Sequence, residues 1–296
     1  MREAYAVIDV GGTFVKSALA SAGLPVKLTG IKLTPMPQKE DLPTLLGGFI
    51  SLSQSLRKQA EKQNLNVSAC IVSFPGPFDF VNGISLMRHK FEALYGIPLA
   101  PLFQTAFPDA KIAFLHDSTA YLLGQVALFG QVDTKDCACV MLGTGLGFSA
   151  MQNSRVQLSE DKRPAVKLWN TPYQTGIAED AVSSRAIKAR YAALPDVKAI
   201  ALAARKGDLV ARDAFRQTAL HLAQILSPVL SGTQIKTVFI GGQIMKSAPL
   251  ILPTLRKALP EITFLRARHL SDSALYGCAL YASAGAENLT EVTDDA

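Results

Sequence analysis

The sequence predicts an α/β protein built from two related domains, and three observations carry that prediction. Strand-like apolar runs alternate with helical ones along the chain. A length of 296 residues is too great for one ordinary core and comfortable for two. A strand, glycine turn and strand near the start, AVIDVGGTFVKSA, is echoed by CVMLGTGLGFSA at 139–150, as a duplicated domain would show.

Taken in order, AYAVI before Asp9 and FVKSALA after Thr13 are rich in β-branched and small apolar residues, which makes them two strands around a glycine turn. A helix is expected near 41–63 and a strand over VSACIVSF at 67–74, followed by the loop SFPGPFD. KIAFL (111–115) reads as a strand. DSTAYLLGQVALFG (117–130) reads as a helix with Ala120, Leu123, Ala127 and Leu128 on one face. CACVMLG (137–143) returns to strand, then the turn GTGLG and the strand-like FSAMQ. Helices are expected near 177–191 and 208–230, then the strand KTVFI (236–240) ending at Gly241 and Gly242. A helix from about 246, a strand ITFLRA and an apolar helix SALYGCALYASAG complete the pattern.

Composition narrows the function classes. Hydrophobic residues make up 49% and charged residues 18%, enough to build a substantial core and too apolar for disorder. The net charge of +6 raises nucleic acid as a partner, so the distribution of the basic residues decides. It is diffuse: Arg185, Lys188, Arg190, Arg205, Lys206, Arg212 and Arg216 lie on expected helices with no interleaved aromatic platform. These are solvated faces, and no nucleic-acid or membrane partner is expected. Cys70, Cys137, Cys139 and Cys278 lack metal-ligand spacing and read as reduced core residues. The apolar stretch before Asp9 is too short for a signal peptide and no run approaches a membrane span, so the default expectation is cytoplasmic.

The two turns carry the chemistry. Glycines let backbone N–H groups close around an oxyanion, and the threonine hydroxyls of Thr13 and Thr144 add donors. Asp9 would be repelled by phosphate itself, but beside phosphate it suits an outer carboxylate of Mg²⁺, reached through water. Standing alone, a Gly-Gly pair in a hairpin is more often just a turn. Neither turn fits the Walker pattern or a G-x-G-x-x-G leading into a helix.

DVGGTFVK, HDSTAYLLGQ, LGTGLGFS and FIGGQI, in that order over nearly the whole chain, resemble the ROK family of sugar kinases and regulators. The resemblance implies the actin and hexokinase type of fold, two ribonuclease H-like α/β domains around an ATP cleft. It implies that Asp9, Gly11, Gly12 and Thr13 form a first phosphate loop with Lys16 beside it. Gly143, Thr144, Gly145 and Gly147 would form a second, Gly241 and Gly242 the floor under the adenosine, and Asp117 the catalytic base. Asp117 suits that role chemically, since a sugar hydroxyl attacking phosphorus must lose its proton to a carboxylate. As an isolated residue it would more simply be the N-cap of the helix 117–130. Within the motif set, catalysis is the favoured reading.

Departures from the family pattern concern the sugar. His116 stands where the family has Asn, and the family's Glu-x-Gly-His and cysteine cluster are missing from 151–175, so no zinc site is expected. Glu179 aligns with a sugar-contacting Glu, or is only a first-turn helix acid. His116 is either a substrate partner or a buried supporting residue, and Gly76 of SFPGPFD is expected at the sugar. The polar loop Ser73 to Asp79, with Arg88, His89 and Lys90, is a candidate to line the acceptor site.

The expectation is therefore an ATP- and Mg²⁺-dependent carbohydrate kinase with an atypical, zinc-free sugar site. Its domains are expected over 1–116 with the C-terminal helix of about 276–296, and over 117–275. A homodimer is implied by the resemblance. The alternative is a non-catalytic ROK-like sugar- or nucleotide-binding protein. The family's repressors carry a helix-turn-helix ahead of the first loop, and with eight residues before Asp9 none is expected here.

Overall fold

The computed structural model describes residues 1–130 and 132–293. Its principal strands are β1 (Arg2–Val10), β2 (Phe14–Ser21), β3 (Leu28–Pro35), β4 (Leu65–Phe74), β5 (Lys111–His116), β6 (Cys137–Leu142), β7 (Leu146–Gln152), β8 (Thr237–Gly241) and β9 (Thr263–Arg266). Its principal helices are α1 (Leu42–Lys62), α2 (Asp117–Leu128), α3 (Ala178–Val182), α4 (Ser184–Arg190), α5 (Val197–Arg205), α6 (Leu209–Leu230), α7 (Leu252–Ala258) and α8 (Ser273–Ala284).

The chain forms two compact units. One contains Met1–Gly130, Arg155–Ala165 and the described residues from Asp272 on; the other contains the described residues between Gly130 and Arg155 together with Val166–Ser271. In the first unit the sheet order is β3-β2-β1-β4-β5, with β1, β4 and β5 parallel and the hairpin β1–β2 antiparallel. Ala6, Ile8 and Val10 of β1 point to one face and join Leu45, Phe49, Leu52 and Leu56 of α1 in the core. Period-2 alternation then sends Tyr5, Val7 and Asp9 to the other face, where α8 packs on β1, β2 and β4. Asp41 starts α1 by accepting the Thr44 N–H at 2.9 Å, with Pro43 in the first turn.

α2 and α8 pack antiparallel along most of their length because glycines let their backbones approach. A Cβ on Gly124 would lie 1.9 Å from the Ser273 carbonyl oxygen, and one on Gly277 would lie 1.8 Å from that of Ala120. Gln125 Nε2 donates to Ser273 Oγ at 2.6 Å, and Ser273 Oγ donates to the Tyr121 carbonyl at 3.2 Å, which pairs these polar groups within the buried seam. This packing places α2 in the first unit. The boundary falls after Gly130, whereas the sequence expectation set it before Asp117. The expected helix of 276–296 ends at Ala284 and is followed by a short helix, Ala286–Leu289; residues 294–296 lie outside those described.

The second unit repeats the arrangement. β9-β8-β6-β7 runs parallel, parallel, antiparallel, matching β5-β4-β1-β2 strand for strand. The repeated α/β topology agrees with the duplicated hairpins and with the expected fold class. Elsewhere the structure differs from the sequence pattern. The helix expected over 177–191 breaks at Ser183, whose extended backbone (ψ 172°) separates α3 from α4. The helix expected from 246 is a 3₁₀ stretch, Gln243–Leu250, interrupted at Ser247 (φ −108°, ψ 28°), containing Pro249 and followed by α7. β3 and α5 had no counterpart in the sequence reading.

Candidate active site

In an open α/β sheet, ligands bind beyond the carboxyl ends of the parallel strands. The first unit brings its candidate residues to that edge by register alone. Asp9 at the end of β1 lies opposite Ser73 of β4, and Phe74 lies opposite His116, the last residue of β5, so Asp117 opens α2 on the same edge. The turn after Asp9 is tight, with Gly11 N–H donating to the Phe14 carbonyl at 3.0 Å, and a Cβ on Gly11 would sit 2.9 Å from that same oxygen. Thr13 is exposed at the tip.

Asp117 is not the N-cap of its helix. His116 occupies that place, with extended backbone, and Asp117 is the first helical residue. Its Oδ1 accepts the Ser118 N–H at 2.7 Å and lies 2.9 Å from His116 Nδ1. Nδ1 is also 2.9 Å from Ser118 Oγ and 3.2 Å from the Ser118 nitrogen. Because the Ser118 N–H is better served by the carboxylate, a proton on Nδ1 directed at Asp117 satisfies the group best. Burial pushes the Asp117 carboxyl upward. The His116 charge and hydrogen bond, the Ser118 N–H and the Lys90 ammonium together outweigh it and hold the group below the usual carboxylate range. An ionised carboxylate with 37% of its side chain exposed is therefore presented at the sheet edge. A Cβ on Gly76 would lie 3.4 Å from His116 Nε2, which puts Gly76 against the far side of the imidazole.

Asp9 is perturbed in the opposite direction. Burial raises its carboxyl to about 6, against the lowering effects of the Lys16 ammonium and the Ser73 hydroxyl, with the charges of Asp117 and Asp272 adding to the rise. Ser73 Oγ donates to Asp9 Oδ1 at 3.0 Å. Lys16 faces Asp9 across the β1–β2 pair, and its Nζ lies 3.5 Å from Asp272 Oδ1, just before α8. The oxygens of Asp9 and Ser73 suit Mg²⁺, a hard cation that keeps most of its waters, with the Lys16 ammonium beside them. Among the described residues, no group of three or more His, Cys, Asp or Glu is arranged to hold a metal by itself. The cysteines are free thiols, each buried.

In the second unit the glycine turn and the Gly-Gly pair are neighbours. Met141 pairs with Gly241 across β6 and β8, and a Cβ on Gly242 would meet the Leu142 carbonyl oxygen at 2.2 Å; Gly242 also has φ +86°, open mainly to glycine. Gly143 N–H donates to the Gly145 carbonyl at 3.0 Å, leaving Thr144 exposed at the tip. Gly147 is outside the turn: it lies in β7 opposite Met141, whose side chain a Cβ would meet at 2.9 Å. Glu179 braces the turn. Its Oε2 accepts the Leu146 N–H at 3.0 Å, its Oε1 lies 3.2 Å from Arg185 Nη2, and a Cβ on Gly145 would reach Oε2 at 2.7 Å. Ser184 secures the other side, its backbone N–H and its Oγ both donating to the Gly143 carbonyl at 2.8 Å.

Asp272 and Ser184 have no assigned role in the sequence reading, Ser73 is expected there only within a polar loop at the acceptor, and Arg185 only on a solvated face. Ser73 is found once β1 and β4 are known to be in register, but no spacing connects Asp272 to Lys16. Arg88 stacks over the Tyr95 ring at 4.0 Å. Among the described residues, no helix is long and apolar enough to cross a membrane.

Residues 173–279 match the sequence model of the ROK family. The Escherichia coli (strain K12) DNA-binding transcriptional repressor Mlc is 22% identical over 267 residues, covering 82% of this chain and 65% of the repressor. Solved structures share the fold, among them two ROK kinases. The ROK hexokinase from Thermus thermophilus gives a TM-score of 0.75 at 18% identity over 94% of this chain and 97% of its own. The ROK family glucokinase from Streptomyces griseus, solved with glucose and AMPPNP, gives 0.69 at 19% identity over 93% and 98%. With the four sequence motifs placed at corresponding edges of two matching sheets, the chain carries a ROK family segment on the fold shared by ROK sugar kinases.

Proposed function

We propose that this chain is an ATP- and Mg²⁺-dependent carbohydrate kinase of ROK type. The observation that carries the reading is Asp117: a carboxylate at the carboxyl edge of a parallel sheet, kept ionised by His116, the Ser118 N–H and Lys90, and open to a substrate hydroxyl. In the proposed reaction Asp117 takes the proton of the attacking sugar hydroxyl, and His116 holds the carboxylate in position. Lys90 adds positive charge beside it. Asp9 would hold Mg²⁺ through water, and the cation when bound would offset charge on the transferred phosphoryl group. Gly11, Gly12 and Thr13 in the first unit, and Gly143, Thr144 and Gly145 in the second, supply backbone and hydroxyl donors for phosphate. Gly241 and Gly242 supply the adenosine floor, close enough to Gly143 to share one nucleotide. Gly76 and His116 Nε2 face the acceptor. Glu179, engaged with Leu146 and Arg185, serves the second turn in this reading in place of the sugar. A zinc-free sugar site and a cytoplasmic homodimer belong to the same proposal.

The match to the Mlc repressor favours a second reading, a binding protein that retains the fold without phosphoryl transfer. ATP-dependent phosphorylation across hexoses, amino sugars, N-acyl sugars and polyols, with Asp117→Asn in parallel, separates the two. Turnover on one class that falls by about 10²-fold or more in the variant, with nucleotide binding intact, is the expected result. Sugar or nucleotide binding without turnover in the wild type would overturn the kinase reading in favour of the second.

A further inference from the structure

In the second unit, α3 carries Glu179, whose Oε2 accepts the Leu146 N–H beside the glycine turn. The helix has five residues and buries only Ala178, Ala181 and Val182, so neither its own hydrogen bonds nor its small apolar face fixes its position. Polar contacts to α6 do so from both ends. Ahead of α3 runs a short antiparallel hairpin, in which Pro172 pairs with Ile177 and Tyr173 with Gly176. The Tyr173 hydroxyl donates to Gln224 Oε1 and lies 2.7 Å from His221 Nδ1, and the Tyr173 and His221 rings meet edge to face at 5.7 Å. His221 and Gln224 lie about one turn apart on α6. Hairpin and helix form one piece, since the Ala178 N–H donates to the Thr171 carbonyl at 2.9 Å and the Ile177 N–H to Asp180 Oδ2 at 3.4 Å. Behind α3, Arg190 donates to the Ala181 carbonyl at 2.7 Å and to Thr218 Oγ1 of α6 at 3.0 Å.

We infer that Tyr173 is a positioning residue: clasped by His221 and Gln224, its hydroxyl fixes the hairpin and α3 on α6 and so sets where Glu179 braces the second glycine turn. The inference rests on phosphate binding by that turn under the proposed function. Tyr173 acts through Glu179 and not by contact with the nucleotide. Phenylalanine in its place keeps the ring against His221 and loses the polar contacts of the hydroxyl. The Leu146 N–H then loses a fixed acceptor, and the turn has to be ordered when the anion arrives instead of beforehand, which lowers affinity. Without Glu179 there is no brace to position, and the hydroxyl ceases to matter for the nucleotide.

The test is a double-mutant cycle read by binding. Affinity for a non-hydrolysable ATP analogue in excess Mg²⁺ is measured by calorimetry for the wild type, Tyr173→Phe, Glu179→Ala and the double variant, with thermal melts reporting folding. Gln224→Ala, at an exposed position of α6, opens the clasp from its other side without touching the core. The expected result is a loss of about three- to tenfold in analogue affinity for Tyr173→Phe, with a loss in the same direction for Gln224→Ala. The double variant should lie within about twofold of Glu179→Ala alone. Unchanged affinity in Tyr173→Phe and Gln224→Ala overturns the inference, as does an equal loss from Tyr173→Phe in the Glu179→Ala background, which would mark a merely structural role; either result leaves the kinase reading standing. A wild type that does not bind the analogue overturns the phosphate assignment of the second turn and the inference with it.

Discussion

Replacing Asp9 by Asn should stabilise the protein at neutral pH while removing its proposed cation site. The carboxyl stands at about 6 in the folded chain against an ordinary 3.8, chiefly through burial, then against Lys16 and Ser73 and with Asp117 and Asp272 adding to the rise. Between those two values the folded state holds a proton that the unfolded state has released, so stability falls as pH climbs through the window. At about 1.4 kcal/mol per pH unit, the ionised aspartate costs the fold on the order of 3 kcal/mol above pH 6. Asn keeps an oxygen to accept from Ser73 and carries no charge. In metal-free buffer with chelator, Asp9→Asn should therefore melt above wild type at pH 8. At roughly 2–4 °C per kcal/mol the advantage is about 6 °C or more, and it should shrink to nothing below about pH 4. An Asn variant no more stable than wild type at pH 8, or an advantage that persists unchanged at pH 4, would refute the reasoning.

Gly242→Ala combines a Cβ 2.2 Å from the Leu142 carbonyl with φ +86°, and should cost about 1–3 kcal/mol with weakened nucleotide binding, checked by melting and analogue titration. Gly277→Ala gains about 1 kcal/mol of helix propensity but forces α8 off the Ala120 carbonyl, which a Cβ would approach to 1.8 Å; the net should be destabilising, seen as a lower melting temperature. Burial, then Asp136 and Asp133, push the Cys137 thiol up to about 12, and Cys70, Cys139 and Cys278 are raised by burial as well. The native protein at pH 8 should thus leave all four thiols unmodified by a disulfide reagent until denaturant is added.

What could be read from the sequence was whatever had a local signature. The β1–β2 and β6–β7 hairpins announced themselves through apolar runs around glycines, and α2 through its 3.6-residue face. β3 was illegible because its residues, LTGIKLTP, are largely exposed on an edge strand and lack alternation. The break at Ser183 leaves the helical apolar pattern intact on both sides, so periodicity runs straight through it. Asp9, Asp117 and the glycine turns are visible as motif residues, whereas the bracing of the second turn by Glu179 and the hold of Asp272 on Lys16 arise only when distant segments meet. Gly124 and Gly277 look like weak helix positions in sequence and are explained solely by the helix that lies against them.

The seam between α2 and α8 also sets an order of events during synthesis. β1 is translated some 260 residues before α8, the helix that covers the Tyr5 and Val7 face of its strand, whereas the second unit, which the segment 155–165 of the first interrupts, is complete by Ser271. The later unit can therefore mature while the earlier one waits with an uncovered sheet, reversing the usual N-terminal-first sequence.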